Sequence, residues 1–128
     1  MHCLRVALLS AAIAAPVLIS GGAQAQDATA GERLFRQRCG SCHSVQEGQN
    51  RVGPHLFGVI GRPAASVEGA RYSPALRQSG LTWDSAQIEA YITNPRKLVP
   101  KTTMSVSVPN ASDRAGIVAY LQSLTASD

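Results

Sequence analysis

Cys39-Gly40-Ser41-Cys42-His43 is the stretch around which this chain is organised. Two thiols three positions apart are followed at once by an imidazole. That arrangement, C-x-x-C-H, reads as a covalent haem-attachment site. The thiols can add across the two vinyl groups of a haem, whose separation the spacing matches. His43 then lies under the iron as its proximal ligand. A bare C-x-x-C also serves as a redox dithiol or as half of a zinc site. No βαβ pattern flanks the motif, and the only other cysteine, Cys3, lies in an N-terminal leader.

That leader has Arg5 as its positive start and an apolar stretch from Val6 to Ile19, interrupted by Ser10 and Pro16. Ala23-Gln24-Ala25 follows as an A-x-A cleavage site. Residues 1–25 are therefore expected to be a cleaved secretory signal, and 26–128 a single domain beginning at Gln26. The rival reading, an uncleaved anchor, needs about 20 apolar residues, more than the stretch offers. Cys3 precedes the apolar stretch and is too early to carry a lipid. Export places the domain in a bacterial periplasm, with no stable membrane insertion after cleavage. The remaining 103 residues hold two cysteines, two histidines and one methionine. A disulfide between residues three apart would constrain little of the chain, which favours a chemical use of the pair.

The chain carries 12 Lys plus Arg against 8 Asp plus Glu, a formal charge of +4 that becomes +3 without Arg5. There is no basic run and no interleaving of aromatic with basic residues, so single-stranded nucleic acid is not an expected ligand. Mild positive charge instead fits steering toward an acidic protein partner.

Glycine and proline punctuate the rest of the domain. A first helix is expected from Asp27 to Cys39, with Asp27 or Thr29 as N-cap and Thr29-Ala30-Gly31-Glu32 as a capping box. Gly31, Phe35 and Cys39 share a face, and Arg33, Arg36 and Arg38 take the solvated remainder. Glycine within a helix costs about 1 kcal/mol relative to alanine, which a close helix crossing at Gly31 would explain. Residues 44–72 contain five glycines and two prolines and read as a long loop. Such a loop needs a surface to pack on, and a buried haem provides one. Ser73-Pro74 opens a short helix to Gln78, stopped at Gly80. Asp84 caps another, whose stripe is Ile88, Tyr91 and Ile92, and Asn94-Pro95 ends it. Residues 96–109 read as loop. Asn110 or Ser112 caps a last helix whose stripe of Ile117, Tyr120, Leu121 and Leu124 is matched to the Gly31/Phe35 face. The expected fold class is all-α: three to four helices with long loops, no strand of note, wrapped around one haem.

Together these features resemble a class I cytochrome c of the bacterial, mitochondrial-like kind, over essentially all of 26–128. Gly31-x-x-x-Phe35, the C-x-x-C-H motif and Tyr120 match that family's crossed terminal helices. Gly53-Pro54 resembles its glycine-proline pair, whose proline carbonyl accepts the proximal histidine N–H and orients the ring. The resemblance implies that Arg62, Tyr72 and Trp83 hydrogen-bond a haem propionate, and that Tyr91 lies near the axial methionine. Asn94-Pro95-Arg96-Lys97, Pro100, Thr102 and Met104 match the stretch that presents this sixth ligand. The separations from Arg62 through Tyr72, Trp83 and Tyr91 to Met104 match the mitochondrial-type pattern without gaps. Loops 44–52 and 105–112 are each one residue shorter. Lys101 stands where that pattern has glycine, and Leu76 where it has asparagine.

The function implied is one-electron transport rather than enzymatic turnover, with His43 and Met104 ligating the iron and Cys39 and Cys42 holding haem c. The protein would be a monomer linking a membrane redox complex or periplasmic dehydrogenase to an oxidase. Arg36, Arg38, Lys97 and Lys101 are expected around the haem edge, facing acidic partners. His55, the rival ligand, is expected to be exposed or near the propionates. The alternative is a displaceable sixth ligand serving peroxidase or gas-sensing chemistry. A di-haem peroxidase would need a second C-x-x-C-H, which is absent.

Overall fold

The computed structural model describes residues 22–124; the apolar leader stretch from Val6 to Ile19 lies outside them. Five helices and one two-stranded pairing make up the described chain: α1 Gly22–Arg38, β1 Arg62–Pro63, α2 Pro74–Gln78, β2 Thr82–Trp83, α3 Ser85–Thr93, α4 Pro95–Leu98 and α5 Ala111–Ser123.

α1 begins earlier than expected. It runs back to Gly22, into the expected leader; cleavage after Ala25 would leave Asp27 and Thr29 in its first turn. Alanine and glutamine, both good helix formers, fill the turn before Asp27, and nothing there stops the helix. Glu32 pairs with Arg36 one turn on. The basic Arg36 and Arg38 occupy the last turn, where the helix dipole favours positive charge.

α1 crosses α5 at two glycines. A Cβ on Gly31 would lie 1.9 Å from the Gly116 carbonyl oxygen, so the backbones touch and only glycine fits. Phe35 and Tyr120 then meet with ring centroids 5.6 Å apart. Ile117, 1% exposed, anchors the core beside Leu121.

The other helices begin at side-chain caps. Ser73 accepts from the Leu76 N–H at 3.1 Å, Asp84 from Gln87 at 2.7 Å and Asn110 from Asp113 at 3.0 Å. α3 buries Ile88, Tyr91 and Ile92. Asn94 ends α3 and also caps α4, accepting from the Lys97 N–H at 3.1 Å. Residues 96–98 therefore belong to a one-turn helix rather than a loop, because Asn-Pro supplies both a cap and a proline at the first helical position.

Residues 44–72 contain no helix. The loop is pinned to its surroundings through Gly53 N–H to Cys42 O at 2.8 Å, Leu56 N–H to Ser44 O at 2.8 Å and Gly58 N–H to Leu124 O at 3.0 Å. Its Arg62–Pro63 stretch pairs antiparallel with the segment before α3, Arg62 opposite Trp83 and Pro63 opposite Thr82. This pairing was not expected, since two residues are too few to show period-2 patterning.

Candidate functional site

A cavity of about 300 Å3 opens among α1, α3, α5 and the two long loops, at the lower end of the roughly 300–1,000 Å3 typical of ligand sites. Its walls include Phe35, Ile88, Ile117 and Leu121 from the helices, and Leu56 and Val59 from the first loop. All ten residues singled out from the sequence line it: Cys39, Cys42, His43, Pro54, Arg62, Tyr72, Trp83, Tyr91, Thr102 and Met104. Three arginines, Arg38, Arg62 and Arg71, line it as well, with no Asp or Glu among the described residues that line it.

The thiols follow directly from the end of α1. The Cys39 N–H bonds to Phe35 O at 2.8 Å, and the His43 N–H bonds to Cys39 O at 2.9 Å, which turns the chain sharply. Gly40 makes room for that turn, since a Cβ there would lie 2.8 Å from Arg36 O. Both cysteines are free and half-buried. Burial pushes the Cys39 thiol up to about 11, with Arg38 partly opposing and Cys42 adding to the rise. A redox dithiol needs a thiolate of lowered pKa, commonly at a helix N-terminus. Cys39 sits at the opposite end of its helix, protonated, which disfavours that reading. Among the described residues no three His, Cys, Asp or Glu side chains gather to hold a metal ion, so the half zinc site is not completed.

His43 is held from behind. Its Nδ1 donates to the Pro54 carbonyl at 2.8 Å, since a carbonyl can only accept. Nε2 is then the nitrogen with a free lone pair. Burial lowers the imidazole pKa, the Pro54 bond opposes this and Arg62 adds to it, so the ring is neutral as a ligand must be. A Cβ on Gly53 would lie 2.4 Å from His43 Cε1, so glycine alone lets the ring pack against this loop.

Arg62 donates to Phe57 O at 3.1 Å and to His55 O at 2.8 Å. Burial lowers its pKa and the neighbouring Tyr72 hydroxyl partly offsets this. Tyr72 accepts from the Val67 N–H at 3.1 Å, leaving its own O–H free to donate. Trp83 packs tilted against Tyr91, ring centroids 5.0 Å apart, and the Tyr91 hydroxyl shares a 2.6 Å hydrogen bond with Thr102. That bond ties α3 to the loop that carries Met104, two residues further on. Lys101, before Thr102, adopts φ +67°, the left-handed region that glycine accepts without strain.

Several expectations require correction. Of the two places expected for His55, the exposed one is excluded: it is buried, and its Nδ1 has no hydrogen-bond partner among the described residues; Asn50 accepts from its N–H at 3.1 Å and Arg62 donates to its carbonyl, drawing the residue inward. Of the four basic residues expected around the opening, only Arg38 lines the cavity. Arg36 is engaged with Glu32, and Arg38 lies 3.9 Å from Asp113. Arg71, Leu76, Val52 and Val106 also line the cavity and were not foreseen there. No sequence spacing signals them, because their position depends on how the two loops fold.

The fit to a haem rests on three features: a glycine that clears the histidine ring, a neutral imidazole with Nε2 free, and an apolar cavity whose charged lining is cationic. Comparison with known proteins agrees. The family model described as cytochrome c matches residues 28–125. Cytochrome c2 of Rhodoblastus acidophilus is 46% identical over 80% of this chain and 96% of its own length. Cytochrome c of Euglena viridis is 39% identical over 77% of this chain and 97% of its own. The "cytochrome c-type cyt cy" of Rhodobacter capsulatus is 44% identical over 85% of this chain, but the match spans only 52% of that longer protein. The chain belongs to the cytochrome c family, as a class I c-type cytochrome with one covalent haem c.

Proposed function

We propose that this electron carrier works in a bacterial periplasm, released from a leader at 1–25, with His43 and Met104 as the residues that would hold the iron. When bound, the haem supplies the iron that alternates between ferric and ferrous states. The chain does the rest. Cys39 and Cys42 hold the group, Pro54 fixes the tautomer and direction of His43, and the Tyr91–Thr102 bond steadies the loop bearing Met104. Arg62, Tyr72 and Trp83 serve the propionates. A thioether ligand raises the potential of haem iron, and two protein ligands leave no position for a substrate. The observation that carries this reading is the 2.8 Å His43–Pro54 bond in a cavity that Met104 also lines.

Val52 and Val106 line that cavity while 74% and 42% exposed. They offer exposed apolar surface on a cavity that Arg38 and Arg71 also line, which supports transient docking of a monomer onto acidic redox partners. Among the described residues no helix is long and apolar enough to cross a membrane. The test of the ligand set is spectroscopic. Ferric wild type should show the weak red charge-transfer band of methionine sulfur on iron, and Met104→Ala should lack it. A band that survived in the variant would refute Met104 as ligand.

A further inference from the structure

The three arginines that line the cavity are not equivalent. Arg38 lies beside Cys39 in sequence and 3.9 Å from the Asp113 carboxylate. Arg62 spends two guanidinium nitrogens on the carbonyls of Phe57 and His55. Arg71 is exposed and lines the cavity, yet makes no hydrogen bond or ion pair among the described residues. It immediately precedes Tyr72, whose hydroxyl is near enough to Arg62 to act on its charge. Arg62 in turn is paired with Trp83 across the β1–β2 register. Arg71 thus belongs to the end of the cavity where Arg62, Tyr72 and Trp83 converge.

An unengaged guanidinium on the wall of an apolar cavity lacking carboxylates is suited to an anionic group on the ligand. We propose that Arg71 is a second cationic anchor for the carboxylate side chains of the haem, at a position outside those the family resemblance assigns to that task. The inference rests on the haem reading above and deepens it. Arg62 is half-buried and largely occupied by backbone, so it supplies fixed positive charge. Arg71, free and exposed, supplies charge that salt can screen. A cation near the haem edge favours the ferrous state, because reduction removes one positive charge from the iron. It also favours the ionised form of a neighbouring carboxylate.

The test compares reduction potentials of holoprotein across pH 5 to 9 at low and high ionic strength, for wild type, Arg71→Gln, Arg71→Lys and Arg77→Gln. Arg77 is a matched control: its guanidinium sits 5.6 Å over the Tyr72 ring but does not line the cavity. Arg71→Gln should shift the ferric/ferrous equilibrium about threefold toward ferric at low salt, a drop of about 30 mV at 59 mV per tenfold for one electron. The shift should shrink at high salt. Any fall of potential with pH that marks carboxylate ionisation should move to higher pH, and Arg71→Lys should restore most of both effects. An Arg71→Gln shift no larger than that of Arg77→Gln, or an unmoved pH profile, overturns the proposal. Wild type isolated without haem absorbance would overturn the haem reading as well, so the two failures are distinguishable.

Discussion

Tyr91 and Thr102 are both buried and share their 2.6 Å hydrogen bond, so deleting one hydroxyl strands the other among apolar neighbours. Thr102→Val should cost about 1–3 kcal/mol in denaturant unfolding, and the double variant with Tyr91→Phe less than the sum of the two single changes. Strict additivity would show that the pair is not coupled. His55 invites a test against pH. Burial lowers its pKa from the ordinary 6.5, with Arg62 adding to the effect and Glu47 opposing it. Below 6.5 the unfolded chain therefore binds more protons at this site than the folded chain does, and stability rises with pH. The contribution is complete above the unfolded value and is lost as pH falls from there toward the lower folded one. His55→Asn should flatten that acid loss, read as denaturation midpoints between pH 5 and 8; an unchanged slope would place the titrating group elsewhere. At this scale the sequence was most readable where chemistry demands a fixed spacing. Cys39, Cys42, His43 and Pro54 were found because short-range geometry holds them together. Arg71 and the buried side chain of His55 were not, because Asn50, Arg62 and the fold of the 44–72 loop decide where they go.

Elements tell a similar story through their ends. Ser73, Asp84, Asn94 and Asn110 all cap helices as their residue type suggests, since a cap is a local bond between near neighbours. α1 extends back past Asp27 to Gly22 in the uncleaved chain because good helix formers precede it. The β1–β2 pair was hidden because its strands are two residues long and 20 positions apart. The helix crossing yields an asymmetric prediction. Gly31→Ala would drive a Cβ to 1.9 Å from Gly116 O, whereas a Cβ on Gly116 meets its nearest atom at 3.6 Å. Gly31→Ala should therefore lower stability by about 3 kcal/mol as α1 and α5 are forced apart, while Gly116→Ala stays within about 1 kcal/mol of wild type. Equal melting temperatures for the two variants would contradict this crossing. In the Met104 loop the sign reverses. Lys101 holds a left-handed φ of +67°, a conformation costing roughly 1–2 kcal/mol for a residue with a Cβ. Lys101→Gly should stabilise by about 1 kcal/mol or less, because glycine's freer unfolded chain offsets part of the relief.

For the whole molecule the question is what fills the centre. The helices pack on one another at the α1–α5 crossing, yet Phe35, Ile88, Ile117 and Leu121 also wall a cavity of about 300 Å3. The cavity opens to solvent, so without its ligand these apolar side chains face water, at about 25 cal/mol for each Å2 exposed. Domains of ordinary stability have about 5–15 kcal/mol in total, so the chain without haem should sit near the folding threshold. The glycine-rich 44–72 loop, whose residues Leu56 and Val59 face the same space, would lose its packing surface first. Cys39→Ala with Cys42→Ala removes both points of covalent attachment while leaving the helix crossing intact. That variant, freed of haem, should keep part of its helical far-ultraviolet signal from α1 and α5 but lose near-ultraviolet dichroism, bind a hydrophobic dye and melt without a sharp transition. A cooperative melt with native dichroism would mean that protein packing alone suffices. Because the haem occupies the place where other small domains put their side chains, attachment and folding are expected to be a single event, and the five residues from Cys39 to His43 govern both.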